Sequence, residues 1–352
     1  MDNPDIAAEV EKVKRIPVLF ILGSGRSGTT LLQQLLNSHP NVVAPPESDF
    51  IVYLYPRFGK IRNWKDKDIV NFTNALFALP SISLLWLLKK GEIVKKLLSI
   101  KSHADYSLLC KMIFFQMKGD KENVLLFSIK DPRYSFFTET LQNIFPDISF
   151  IHIIRDPRDV VNGHIKRLNK KNAFFLAERW KGINKILEKR KKQTPDTFFT
   201  IMYEEMVVTP DKTLQALCEF LHIPYHNSIM INQFAQNMEA YKDTAYYKKL
   251  RSFHESTFDA INTSNLNKWK KEMSERDIAI TCKVAGKYAK ENYGYPMNTN
   301  VIKVSRLKLL GGSIQYYIWE LYTKTRYNNY FLNSILRKRA TKLVLKEYNP
   351  EI

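Results

Sequence analysis

Residues 23–28 read Gly-Ser-Gly-Arg-Ser-Gly, so that three glycines and one cation, Arg26, fall within a single short loop. The unbroken apolar run Val18–Leu22 precedes the loop, and leucines at helical spacing follow it. A buried strand, a glycine turn and a helix direct backbone N–H groups and the positive end of the helix at an anion. The stretch therefore predicts a binding site for a phosphate-like group.

The loop differs from that of a nucleotide kinase at one position. It is nearly a GxxxxGK[ST] loop, but Thr29 stands where the lysine belongs. A kinase needs that lysine and a magnesium ion on the transferred phosphate. A donor with less charge on the moving group fits better, and a sulfuryl group on a nucleotide phosphate is such a donor. Arg26, Lys130 and loop N–H groups could then neutralise the leaving phosphate without a metal.

Two aspartates follow apolar strands, as a magnesium-binding aspartate would. Each adjoins a cation, because Asp131 follows Lys130 and Asp156 follows Arg155. This arrangement favours ion pairing or helix capping over metal binding. The histidines also lack metal-ligand spacing, so we expect no metal site.

Five segments, in family order over about residues 17–296, resemble the motifs of sulfotransferases that use 3′-phosphoadenosine 5′-phosphosulfate (PAPS). They are Arg-Ser-Gly-Thr-Thr at 26–30 (5′-phosphosulfate loop), Lys-Asp-Pro at 130–132 (KDP or KTP element), Arg-Asp-Pro-Arg-Asp-Val-Val at 155–161 (3′-phosphate motif), Tyr-Glu-Glu-Met at 203–206 (YEDL segment) and Asn-Lys-Trp-Lys at 267–270 (late GxW element). One such match would be weak, but five in order identify the chain as a member of this family.

The resemblance implies which residues bind the donor. The 5′-phosphosulfate group would be held by Arg26, Ser27, Gly28, Thr29 and Thr30. Arg155 would bind the 3′-phosphate through its two-pronged guanidinium, Tyr203 would contact the adenine, and Lys268 would add a late phosphate contact.

Two positions depart from the commonest pattern of the family. Leu31 replaces the tryptophan of the cytosolic small-molecule branch, which favours the carbohydrate, tyrosylprotein and bacterial branches. Gly163 stands where the family usually has the serine of the 3′-phosphate site. We expect the backbone of Gly163 or the ring of the adjacent His164 to replace that contact.

The acceptor hydroxyl needs a base, and Glu47 is the candidate. It follows Pro45-Pro46 about twenty residues after the loop, and the tyrosylprotein and glycan branches resemble this arrangement. His103 is the alternative, but its surroundings do not match the histidine motif of the cytosolic branch. Lys130 is expected to stabilise the leaving oxygen. The competing interpretations are a solvated Glu47 and a Lys130–Asp131 salt bridge.

The order of elements predicts an α/β fold of three layers, with a central parallel sheet and helices on both faces. Buried strands are expected at 18–22, 42–43, 124–129, 148–154 and 197–202, and a helix is expected over 134–145. Residues 1–299 would form a single domain, in which a helical, aromatic insertion at about 50–120 caps the acceptor site. Charged or glycine-rich residues end four of the strands, at the edge where open α/β sheets bind ligands.

Residues 300–352 form a basic, aromatic and helical tail, with ten basic and three acidic residues. Such a tail either packs on the domain with a solvated basic face or lies on an anionic membrane. The whole chain carries a net charge of +19, which implies an acidic partner or a generally lysine-rich surface. No nucleic-acid-binding pattern accompanies the charge, so a basic nucleic-acid-binding protein is the weaker alternative.

Three widely separated cysteines and the polar first fifteen residues predict a cytoplasmic protein, either free or peripherally bound to a membrane. The uncharged segment 69–88 approaches the length that spans a bilayer. Polar residues and Pro80 interrupt it, which favours two buried helices broken at Pro80.

The sequence is consistent with two chemical classes of acceptor. The aromatic insertion favours a hydrophobic alcohol such as a sterol, a phenol or a lipid, whereas Leu31 and the basic surface favour a glycan. We expect the hydrophobic alcohol.

Overall fold

A computed structural model describes residues 4–168, 172–230, 261–298 and 305–331. Its centre is a five-stranded parallel sheet with the strand order β2-β3-β1-β4-β5. The strands are β1 (Val18–Leu22), β2 (Val42–Val43), β3 (Leu126–Lys130), β4 (Ile148–Ile154) and β5 (Phe198–Met202). The glycine loop therefore follows the central strand of the sheet.

The helices occur between and after the strands. They are α1 (Pro4–Arg15), α2 (Thr29–Asn37), α3 (Phe50–Phe58), α4 (Asp66–Phe77), α5 (Pro80–Leu85), α6 (Lys90–Ser99), α7 (Tyr106–Phe115), α8 (Thr138–Ile144), α9 (Pro157–Leu168), α10 (Ala173–Gln193), α11 (Tyr203–Val208), α12 (Pro210–Phe220), α13 (Trp269–Glu272), α14 (Glu275–Tyr293) and α15 (Arg306–Asn328).

Both faces of β1 are buried, and alternate residues enter different cores. Phe20 belongs to a large core that β1 shares with α1, the helices of 50–115 and part of α10. Leu19 and Ile21 belong to a second core, which α2, α11 and α12 cover. Since successive side chains of a strand point to opposite faces, one uninterrupted apolar run supplies both cores. The predicted three-layer α/β fold is confirmed.

The segment after β3 differs from the predicted single helix over 134–145. A 3-10 turn at Pro132–Phe136 precedes the shorter α8. The Asp131 carboxylate accepts a hydrogen bond from the backbone N–H of Arg133 at 2.8 Å, which tightens the first turn. Pro132 has no N–H to donate there. The strand itself begins at Leu126, two residues later than predicted.

The insertion consists of helices, as the sequence predicts, and the aromatic side chains lie in its core. Phe50, Trp86 and Phe114 contact one another, and Phe58 contacts Trp64 and Phe72. All six of these side chains are buried. The aromatic composition of this segment therefore explains its own packing and does not by itself indicate an apolar ligand.

The segment 69–88 forms the two predicted helices, α4 and α5. Pro80 is the first residue of α5, where its missing N–H costs nothing. Among the described helices, none is long and apolar enough to cross a membrane.

The helix α15 lies against α10 and α3. Gly182 of α10 and Gly312 of α15 permit a close approach, because a Cβ on Gly182 would lie 2.2 Å from Tyr316 and one on Gly312 would lie 2.6 Å from the Cβ of Phe174. Residues 300–304 and 332–352 of the predicted tail lie outside the described residues.

Candidate active site

The glycine loop lies at the carboxyl end of β1, and two of its glycines are required by close contacts. Gly23 has φ +148°, and a Cβ there would lie 2.5 Å from the carbonyl oxygen of Ile153. Gly28 has φ +95°, and its Cβ would lie 2.3 Å from the ring of Tyr203. The loop is thus pressed between β4 and the start of α11, where only glycine fits.

Arg26 adopts a left-handed conformation with φ 72°, which is uncommon for a residue with a side chain. Its side chain passes over α9, because a Cβ on Gly163 would lie 3.2 Å from Arg26 Nε. The ring of His164 donates from Nε2 to the carbonyl oxygen of Gly25 at 3.0 Å. Gly163 and His164 therefore both lie against the glycine loop. Gly163 leaves room for the Arg26 side chain, and His164 binds the loop backbone.

The end of the loop presents groups suited to an anion. Thr29 begins α2, so its N–H and that of Thr30 lie in the first turn of the helix, where no intrahelical acceptor exists. Ser27 is buried, and its Oγ has no hydrogen-bond partner among the residues that the structure describes. A buried hydroxyl without a partner costs free energy unless a ligand satisfies it, and a phosphosulfate oxygen could accept a hydrogen bond from it.

Arg155 follows β4 and lies against the loop. Its guanidinium donates to the carbonyl oxygen of Arg26 at 3.1 Å and to that of Asn265, and it stacks 4.2 Å from the ring centre of Tyr203. Within the described part of the chain, its Nε has no hydrogen-bond partner. Two residues predicted to bind the nucleotide, Arg155 and Tyr203, are thus in direct contact.

Asp159 brings the late segment of the chain to this site. Its carboxylate accepts from the backbone N–H of Asn267 at 2.9 Å and of Trp269 at 3.0 Å. Lys268 therefore lies beside the first turn of α9, and Arg158 stacks 3.9 Å from the Trp269 ring centre. Burial raises the pKa of the Asp159 carboxyl, and Arg155 opposes that shift.

Glu204 connects the three segments that surround Arg155. It accepts from the backbone N–H of Asp156 at 3.0 Å and from the Tyr295 hydroxyl at 2.8 Å. Burial raises the pKa of Glu204 and that of the neighbouring Tyr203 hydroxyl. The sequence alone assigned no role to Glu204 or Tyr295, although Glu204 lies in the segment 203–206 that resembles a family motif.

The predicted base, Glu47, lies next to Lys130, which is predicted to stabilise the leaving oxygen. Lys130, at the carboxyl end of β3, donates to the carboxylate of Glu47. The lysine side chain is 4% exposed and the glutamate side chain 41%, so the ion pair joins a buried ammonium to a carboxylate that water can reach. Lys130 also pairs in register with Ile21, two residues before the loop begins. The alternative of a Lys130–Asp131 salt bridge is wrong.

Asp131 instead pairs with Arg133, which also binds Asp49. Arg133 donates from Nε to Asp131 at 2.7 Å and from a terminal nitrogen to Asp49 at 2.7 Å. Tyr327 of α15 donates its hydroxyl to Asp49 as well. This network adjoins Glu47 and Lys130 along the chain, and Tyr327 connects it to α15.

The segment that carries Glu47 is tied to α2. Gln33 donates to the carbonyl oxygen of Pro45 at 2.7 Å, and the N–H of Ala44 donates to Asn37 at 3.2 Å. Ser48 follows directly, and its carbonyl oxygen accepts from the Tyr134 hydroxyl at 2.6 Å. These bonds give Glu47 a defined position next to Lys130.

Replacing Gly28 by alanine should damage the loop through both strain and overlap with Tyr203. We expect the free energy of unfolding to fall by about 2–4 kcal/mol, measured by urea denaturation. Gly119→Ala is the matched control, because Gly119 has φ +55° but no atom near its missing Cβ. It should lose only about 1–2 kcal/mol from the left-handed backbone. Equal losses in the two variants would contradict the close approach of Tyr203.

The structure thus gathers two groups at the carboxyl edge of one sheet. Residues of the loop lie with Arg155, Gly163, Tyr203 and Lys268, and Glu47 lies with Lys130. In the described ranges, no three His, Cys, Asp or Glu side chains cluster in a way that could hold a metal. A glycine loop at the end of a parallel strand, flanked by a carboxylate and an ammonium, is an arrangement suited to a group-transfer enzyme of the α/β class.

Comparison with known proteins identifies the family. Residues 17–227 match the family model described as "Sulfotransferase family". Protein-tyrosine sulfotransferase 1 of Danio rerio is 23% identical over 300 residues, which cover 81% of this chain and 75% of the relative. The human protein of the same name is 24% identical over 305 residues, covering 81% and 72%. The chain belongs to the sulfotransferase family, and its sequence-based identification is confirmed.

Solved structures agree on the fold. The sulfotransferase domain of the Synechococcus PCC 7002 olefin synthase has a TM-score of 0.52 and 21% identity, and the likeness covers 80% of this chain and 96% of that domain. A sulfotransferase domain from the curacin biosynthetic pathway has a TM-score of 0.53 and 20% identity, with 80% and 99% covered. The protein is therefore a sulfotransferase with the α/β fold of that family.

Proposed function

We propose that this enzyme transfers the sulfuryl group of PAPS to an acceptor hydroxyl, with Glu47 as the general base. The observation that carries the proposal is the contact between the Glu47 carboxylate and the Lys130 ammonium, at the sheet edge where the glycine loop begins. A base and a cation placed beside an anion-binding loop are the groups that sulfuryl transfer requires.

The residues around the loop fit the proposed donor. Ser27 has a buried hydroxyl without a partner in the described chain, and Gly23 and Gly28 let the loop lie against Ile153 and Tyr203, where a Cβ would collide. Arg26, Ser27, Gly28, Thr29 and Thr30 would hold the 5′-phosphosulfate. Arg155 and Lys268 would bind the 3′-phosphate, and Tyr203 would contact the adenine. A phosphate that bound Arg155 would compete with the carbonyl oxygens that its guanidinium now contacts.

When bound, PAPS supplies the sulfuryl group, and 3′,5′-phosphoadenosine (PAP) is the product that leaves. Glu47 accepts the proton of the acceptor hydroxyl as the oxygen becomes a nucleophile. Arg26 and Lys130 offset the negative charge that grows on the leaving phosphate, and the burial of Lys130 strengthens its effect. Lys130 also orients the Glu47 carboxylate through the observed ion pair.

For the acceptor, we propose a hydrophobic alcohol, and among sterols, phenols and lipids we favour a phenol. The curated relatives named above are protein-tyrosine sulfotransferases, and tyrosine carries a phenolic hydroxyl. The composition of the aromatic insertion predicts an apolar surface for such an acceptor. The structure gives that prediction less support, because rings of the insertion pack against one another. A glycan is the second candidate acceptor, because Leu31 and the basic surface favour it.

A screen of sulfuryl transfer tests the proposal. The full chain is incubated with sulfur-labelled PAPS and with tyrosyl peptides, simple phenols, sterols, lipid alcohols and oligosaccharides. We expect labelled sulfate esters, with the phenolic acceptors favoured and with no requirement for magnesium. A parallel reaction with γ-labelled ATP examines the kinase alternative. Transfer of labelled phosphate but not of sulfate would contradict the proposal, and transfer to glycans alone would contradict the acceptor.

A further inference from the structure

The helix α15 has two faces of different character. One face is docked on the domain, where Tyr316 and Tyr327 are buried and the ring of Trp319 contacts those of Phe136 and Phe175. Gly312 lies so close to Phe174 that no side chain would fit there. The helix is therefore a fixed part of the molecular surface, and its outer face is presented in a definite orientation.

The outer face is apolar. Its large exposed residues are Leu307, Leu310, Ile314, Tyr317, Ile318, Leu321 and Tyr322. Their spacing of three and four residues places them on one side of the helix, along more than four turns. We call these seven residues the outer stripe. Every one of them is at least 48% exposed, whereas scattered single apolar residues are what an ordinary surface shows.

Basic residues border the outer stripe, and no charged residue lies within it. Lys308 and Arg326 are eighteen residues apart, which is five helical turns, so they occupy the same edge of the stripe at its two ends. Lys324 lies at the opposite edge. The only acidic residue of α15 is Glu320, which pairs with Lys324 at 2.6 Å beside the docked face.

We propose that the outer stripe lies in the surface of an anionic lipid bilayer. An apolar helix face with tyrosines, bordered by Lys and Arg positions, is the pattern of helices that lie in the plane of a membrane surface. The bilayer would remove the exposed apolar area from water, and its anionic headgroups would meet the basic edges. The net charge of +19 increases the attraction.

A second copy of the chain is a poorer occupant of the same surface. Two outer stripes packed together antiparallel would bring the Lys308 and Arg326 edges of both helices next to one another. The helix offers no acidic residue at those edges, since its single glutamate is already paired. Like charges in such positions oppose association.

Vesicle co-sedimentation with the full chain tests the proposal. We expect binding to phosphatidylcholine vesicles that contain about 30% phosphatidylserine, and little binding to pure phosphatidylcholine, because the basic edges need anionic headgroups. Circular dichroism melting of each variant shows that an altered affinity does not arise from unfolding. The assay does not depend on sulfuryl transfer, so it tests membrane binding independently of the proposed reaction.

Two sets of variants separate the apolar and the charged contributions. The triple variant Ile314→Ser, Ile318→Ser, Leu321→Ser should weaken binding by more than about tenfold, because three apolar side chains no longer enter the bilayer. Val208→Ser is its control, since Val208 is 58% exposed on another helix. The variant Lys308→Gln, Arg326→Gln should weaken binding roughly tenfold or more. Lys90→Gln, Lys283→Gln is the control for charge.

The opposing outcomes are distinct. Failure to bind the anionic vesicles would overturn the proposal, as would binding that the triple variant leaves unchanged. Analytical ultracentrifugation gives a further check, for which we expect the same molecular mass for the parent chain and the triple variant. A dimer that the triple variant converts to a monomer would assign the outer stripe to a second copy instead.

Discussion

Glu47→Gln is expected to reduce sulfuryl transfer by about 10²–10⁴-fold, which is the usual contribution of a general base. The amide keeps the size of the side chain and its ability to accept a hydrogen bond from Lys130, but it cannot take the acceptor proton. Affinity for PAP should change little, because the proposed donor contacts come from the loop and from Arg155. The measurements are initial rates with labelled PAPS and calorimetric titration with PAP.

The matched control is Glu139→Gln. Glu139 is an exposed glutamate in α8, the helix that follows the β3 strand carrying Lys130. Its replacement removes the same charge from the same part of the chain and should leave the rate unchanged. Near-normal turnover of Glu47→Gln would remove Glu47 as the base, and an equal loss in both variants would show that the effect is one of net charge.

Arg155→Ala is expected to weaken PAP binding by roughly 10–100-fold, since a hydrogen bond to a charged group contributes about 1.5–3 kcal/mol. The variant removes the guanidinium that would bind the 3′-phosphate, together with its stacking on Tyr203 and its bonds to the carbonyl oxygens of Arg26 and Asn265. Calorimetric titration with PAP gives the affinity, and thermal melting without ligand gives the stability.

Two further variants identify the cause of that loss. Arg155→Lys keeps the charge but lacks the planar fork and the stacking surface, so it should recover only part of the affinity. Arg276→Ala, at an exposed arginine of α14, should bind PAP like the parent chain. Unchanged affinity in Arg155→Ala would contradict the assignment of the 3′-phosphate site. Full recovery in Arg155→Lys would show that charge alone matters there.

The prediction of the fold succeeded where the signals were local. The apolar run at 18–22 specifies a strand buried on both faces, because its side chains alternate between two cores while remaining apolar throughout. Pro80 divides 69–88 into two helices because it has no N–H to donate inside one. The 3-10 turn after β3 was missed, because it depends on a hydrogen bond from the Arg133 N–H to Asp131 that no periodicity reveals.

Composition was misleading in the aromatic insertion. A segment rich in aromatic residues can form either an apolar binding surface or a hydrophobic core. Which of the two it forms depends on whether its rings pack against one another. Here Phe58, Trp64 and Phe72 pack against one another and are buried. In the tail, composition gave both the basic and the aromatic character, but only the docking of α15 separates the buried tyrosines from the exposed outer stripe.

The sequence by itself determined the class of fold, the place of the glycine loop after a buried strand, and the family, since these depend on spacings of a few residues. It also named Glu47 and Lys130 separately. Only the tertiary structure decided their pairing, which joins residues 83 positions apart, and the bonds from Asp159 to Asn267 and from Tyr327 to Asp49, which span 108 and 278 positions. Such contacts arise when parallel strands bring their carboxyl ends to one edge, and a linear pattern does not specify which of the charges gathered there will meet.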